Sequence, residues 1–66
     1  MILFALGTEV DAVKMYRSMI RNAPKEQRDT LKHILKEEMD HIKELYMLLS
    51  PDEKVQAKQT IREVMK

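Results

Sequence analysis

The 66-residue chain carries 35% charged side chains, a formal net charge of +1 and no cysteine, so it is read as one domain, residues 1–66, whose core barely offsets the entropy of ordering it. Without cysteine there are no disulfides, thiolate zinc sites or iron–sulfur clusters, and the supplement to the core is a partner chain, a metal held by carboxylate and imidazole, or both. Interspersed charges of both signs leave no concentrated basic surface for nucleic acid and no polybasic anchor for a membrane.

The apolar start MILFALG is too short to span a bilayer and has no basic region ahead of it, so a soluble cytoplasmic protein is expected. Helix formers dominate, strict alternation is absent, and an all-α fold is expected. The first helix runs roughly from Ile2 to Asn22. Gly7 lies inside it, where glycine costs up to about 1 kcal/mol relative to alanine, and it could admit close approach of another helix. A break falls at Asn22-Ala23-Pro24, because proline suits a first turn and disfavours helical geometry in the residue before it. The second helix is expected over about Pro24 to Leu49. A second break follows at Ser50-Pro51-Asp52-Glu53, with Ser as N-cap, Pro at the first helical position and Glu where a capping box needs it. The third helix, Pro51 to Met65, has a narrow stripe of Ala57, Ile61, Val64 and Met65.

At about 100° per residue, the apolar positions of the first helix form a stripe of Ile2, Leu6, Val13, Tyr16 and Ile20. Its one gap is filled by Glu9, where a bundle seam would want leucine. The second helix repeats the anomaly. Leu31, Leu35, Ile42, Leu45 and Leu49 define its apolar face, Glu38 projects near the centre of that face, and His41 lies on its flank beside Ile34 and Leu48. His33, Glu37, Asp40 and Glu44 project outward and are expected in solvent.

A short connection favours an antiparallel hairpin. Glu9 and Glu38 are each about 14 residues from the Ala23–Pro24 junction, so both stand roughly 21 Å from the turn. Burying two carboxylates beside an imidazole is costly, and a divalent cation offsets that cost. Oxygen and neutral imidazole ligands suit iron, manganese or zinc. The i, i+3 spacing of Glu38 and His41 lets both reach one centre.

At these residues the chain resembles the ferritin-like di-iron carboxylate superfamily, in particular rubrerythrins and the short encapsulated ferritins. TEVDAVKMY is similar to that family's Glu-x-x-Ala-x-x-x-Tyr segment, and EEMDH to its Glu-x-x-His; the resemblance spans about residues 2 to 49. Full bundles of this kind use one Glu from each of two helices and a Glu-x-x-His from each of the other two. One chain therefore holds half a site, and the resemblance implies a homodimer, or a higher oligomer built from dimers, whose four long helices complete the bundle around a di-iron centre. It further implies Glu9 as a terminal ligand, Glu38 as a bridging ligand, His41 as a terminal nitrogen ligand and Tyr16 as a hydrogen-bonding residue beside the site. The implied activity is oxidation of ferrous iron by dioxygen or peroxide. Without a cysteine-rich module, rubrerythrin-like peroxide reduction would need an external electron donor. Encapsulated relatives ride inside a protein shell by a terminal tail, and nothing after Met65 reads as one.

Each residue has a plainer reading. Glu-x-x-His is common on charged helices, Glu9 could reach solvent or Arg17, Tyr16 could be core packing, and the scattered methionines read as core filler rather than copper ligands. A non-catalytic helical interaction module is the alternative from a different class. What favours the metal is the conjunction of three ligand-type residues at one level on inward faces.

Overall fold

The computed structural model describes residues 1–65, which form three helices and, among the described residues, no strand: α1 Ile2–Asn22, α2 Lys25–Met47 and α3 Pro51–Arg62. The first break has the geometry that proline imposes. Ala23 is extended, at φ −81° and ψ 148°, because the ring of Pro24 crowds a helical conformation at the preceding residue. Pro24 is the N-cap of α2 rather than its first residue, and the Arg28 Nε–H donates to the carbonyl of Ala23 at 3.1 Å. At the second break the expected capping box is complete: the Glu53 amide donates to Ser50 Oγ, and the Ser50 amide donates to Glu53 Oε1. These bonds satisfy two of the amides that every helix start leaves without partners.

Both later helices end sooner than the apolar pattern suggests. α2 stops at Met47, and a tight turn in which the Leu49 amide donates to the Tyr46 carbonyl carries Leu49 into the core. α3 stops at Arg62, and a turn closed by the Val64 and Met65 amides on the Ile61 carbonyl swings Val64 inward until it is fully buried. In each case a buried apolar side chain takes precedence over another turn of helix.

α1 and α2 pair along their length as an antiparallel hairpin, and α3 folds back against one side of it. The core comprises Leu6, Val10 and Val13 of α1, Ile42 and Leu49 from α2 and its terminal turn, and Ala57 and Val64 from α3 and the residues after it. Full burial of side chains the size of Leu6 and Ile42 is worth roughly 1.5–3 kcal/mol each. Two long-range contacts tie the C-terminal segment to α1: the Arg17 guanidinium donates to the Val64 carbonyl, and Lys14 pairs with Glu63 at 3.1 Å. At the other end of α3, the Lys54 ammonium lies 5.6 Å from the centre of the Tyr46 ring.

This one-sided packing corrects the seam expected for α1. Val10, not Glu9, lies at its centre, and Ile2, Tyr16 and Ile20 are only half-buried. The covering helix meets the side of α1 that carries Lys14 and Arg17, which draws the buried stripe toward Val10. Glu9 lies about 140° around α1 from Lys14, and His41 lies about 140° around α2 from Tyr46. The opposite side of the hairpin is therefore uncovered. Of the exposed apolar side chains, Leu48 lies about 20° from His41 and Met19 about 80° from Glu9, whereas Phe4 and Met15 lie about 140° and 120° from Glu9, on the outer surface of α1.

The accessible surface is 5007 Å², against about 4400 Å² expected for a compact monomer of this mass. The excess goes with an elongated shape of 42 × 18 × 16 Å. Among the described residues nothing lies within 4 Å of the position a Cβ of Gly7 would occupy, so neither α2 nor α3 uses it for close approach. No helix among the described residues is long and apolar enough to cross a membrane.

Candidate metal centre

Glu9, Glu38 and His41 come together on the uncovered side of the hairpin, each offering a ligand atom within 4.8 Å of the others. Equal distance from the turn brings the two glutamates to one level, and the i, i+3 step on α2 places His41 beside Glu38. Their burial departs from expectation. Glu9 and Glu38 lie at the border of the apolar face, half-buried, and His41 is 50% exposed.

One atom stands apart. Glu9 Oε2 is buried and has no hydrogen-bond partner among the described residues, although the Glu9 side chain as a whole is 28% exposed. Its nearest cation-forming neighbour is His41 Nδ1 at 4.0 Å, too far for a hydrogen bond. The two basic residues next along α1 are committed elsewhere, Lys14 to Glu63 and Arg17 to the Val64 carbonyl. Arg17 therefore does not neutralise Glu9. A carboxylate oxygen kept from water without a donor or cation costs on the order of 1–3 kcal/mol.

The donor set fits a borderline divalent cation. Carboxylate oxygen and imidazole nitrogen bind zinc or ferrous iron at about 2.0–2.2 Å, so two ligands on one ion lie at most about 4.4 Å apart. The three atoms would have to draw in by a few tenths of an ångström or more, a small change for half-exposed side chains free to alter rotamer. Three ligands leave coordination positions open, which is the arrangement of a site that binds a further molecule rather than a closed structural one.

Tyr16 lies on the same side of α1, two turns nearer the α1–α2 junction, and is half-buried. At about 10 Å along the axis from Glu9 it stands beside the centre rather than in it. The outward residues are where the pattern puts them: His33, Glu37, Asp40 and Glu44 are all exposed. His33 Nε2 and Glu37 Oε1 pair at 2.8 Å across one turn of α2, which directs Glu37 away from the three converging residues.

The chain matches no protein-family model, no curated protein and no solved structure.

Proposed function

We propose that this chain is a ferritin-like half-bundle, two copies of which hold a pair of iron ions between them and oxidise ferrous iron with dioxygen. The observation that carries the reading is the convergence of Glu9, Glu38 and His41 on the uncovered face, with Glu9 Oε2 buried and unbonded. A second copy related by a two-fold axis would bring the same three groups across that axis, making four carboxylates and two imidazoles. Covering this face would also bury Leu48 and part of Met19, and would complete the burial of Glu9 and Glu38 that the single chain leaves partial.

In that assembly Glu38 would be the ligand shared between the ions, and Glu9 and His41 would hold them as terminal ligands. Two ferrous ions held there would give up one electron each to dioxygen, which with two protons would leave as hydrogen peroxide. The glutamates would lower the cost of the added positive charge on the oxidised product, and His41 would supply a nitrogen donor. Tyr16 orients the ligand shell from the junction side through its hydroxyl.

Anaerobic titration with ferrous iron, followed by exposure to air, tests the reading. We expect about one iron per chain, a light-scattering mass of two chains or a multiple of two, and an oxygen-dependent absorbance that Glu38→Ala and His41→Ala abolish. If the wild-type chain binds no iron, zinc or manganese under these conditions, the proposal fails. The same bare apolar face also suits a helical interaction module without metal. That reading is preferred if a strong chelator leaves melting temperature and oligomer mass unchanged and Glu38→Leu stabilises the chain.

A further inference from the structure

On the other side of the molecule, α2 and α3 enclose a groove of about 410 Å³, within the range of about 300–1000 Å³ typical of small-molecule sites. Its floor is apolar, formed by Ile42, Tyr46, Ile61 and Met65. Its rim is basic. Lys43 stands on α2, Lys58 and Arg62 stand on α3, and among the described residues no acidic one lines the groove. None of these three cations forms an ion pair or side-chain hydrogen bond among the described residues, while Lys14 and Lys54 each have a partner. Lys58 and Arg62 are also four residues apart on one helix, where like charges repel. An anion held between them would remove that repulsion and gain charge-assisted hydrogen bonds.

We infer that this groove binds a monomeric fatty-acid-type amphiphile, with the carboxylate held by Lys58, Arg62 and Lys43 and the alkyl chain laid on Ile42, Ile61 and Met65. The occupant is set by charge: three cations and, among the described residues, no acid rim an apolar floor, which fits an anionic head group on an alkyl chain. Met47, 75% exposed at the groove edge, and Met65 are unbranched and polarisable, and can close over a chain of variable length. The groove shares no lining residue with the metal centre of Glu9, Glu38 and His41.

The test follows methionine and isoleucine methyl resonances of the full chain while dodecanoate is added below its micelle concentration. Saturable shifts confined to Met47, Ile61, Met65 and Ile42 are expected. Dodecyltrimethylammonium, with the same tail and the opposite charge, should bind about tenfold more weakly or not at all. The double substitution Lys58→Glu with Arg62→Glu should reverse that preference. Lys58→Gln with Arg62→Gln, which avoids placing acids at the end of α3, should weaken dodecanoate about tenfold while leaving helix content unchanged. The inference is overturned by any of four results: equal affinity for the two head groups, insensitivity to both double substitutions, shifts centred on Met15 and Met19, or binding seen only with phosphatidylglycerol vesicles or an acidic helical peptide.

Discussion

Replacing Glu9 with leucine should raise the stability of the metal-free chain and abolish its response to metal, two effects of opposite sign from one substitution. In the absence of a cation, Glu9 Oε2 is buried without a donor, a cost on the order of 1–3 kcal/mol. Because the side chain remains 28% exposed, the lower end applies, and leucine adds apolar contact beside Leu6 and Val13. At an unfolding entropy of about 2.1 cal/mol/K per residue, 1 kcal/mol corresponds to about 7 °C in a chain of this length. Metal acts the other way. A ligand present at one hundred times its dissociation constant stabilises by about 2.7 kcal/mol, or roughly 19 °C on the same scale. The assay is thermal unfolding followed by circular dichroism at fixed protein concentration, in chelator and in zinc, which is redox-inert. Wild type should melt far higher in zinc than in chelator. Glu9→Leu should melt about 7 °C above wild type in chelator and gain nothing from zinc. A variant that melts below wild type in chelator, or that keeps the zinc response, refutes the assignment of Glu9 as a strained carboxylate awaiting a cation.

Gly7→Ala should stabilise the chain by about 0.5–1 kcal/mol in chemical unfolding, because a Cβ there meets open space and alanine is the better helix former; a loss of stability would mean another chain packs on that turn. Arg17→Met keeps the aliphatic length but leaves the Val64 carbonyl without its guanidinium partner. Hydrogen exchange should then show lost protection in α3 while the α1–α2 hairpin stays protected, and uniform loss across all three helices would contradict a local tie. Ser50→Ala should cost on the order of 1 kcal/mol by removing the N-cap acceptor for the Glu53 amide. Hydrogen bonds from Ser50, first from its backbone amide and then from its side chain, hold the Glu53 carboxyl below its ordinary 4.5. A folded value below the unfolded one means this contribution is complete above pH 4.5 and fades as pH falls through the lowered value. A wild-type chain and Glu53→Gln should therefore differ in melting temperature at pH 7 and converge in acid. A difference unchanged at pH 3 would exclude the charged cap as its source.

The helices and their breaks were legible because local chemistry dictates them. Pro24 and Pro51 set the breaks, and Ser50 with Glu53 specifies the start of α3 within four residues of sequence. The convergence of Glu9, Glu38 and His41 was legible for a related reason: equal distance from a short turn puts two residues of a hairpin at one height, whatever else packs around them. The exact face was not. Single-helix periodicity admits a stripe through Glu9 or one through Val10, since the two differ by one residue and about 100°. Nor could it show that Arg17, a basic residue that could have offered Glu9 a partner, would be taken by a backbone carbonyl 47 residues away.

From the sequence alone came the all-α architecture, the hairpin, and the level at which two acids and an imidazole meet, since each depends on bonds and spacings within a few turns. Tertiary structure alone decided which side of the hairpin α3 covers. That choice rotated the core to Val10, turned the last residues inward to bury Val64, opened a basic-rimmed groove against α2, and left Glu9, Glu38 and His41 on the bare side. The physical reason is that a helix can bury only one stripe against a given neighbour. Which stripe it buries depends on packing partners 40 or more residues away along the chain, and no local pattern encodes them.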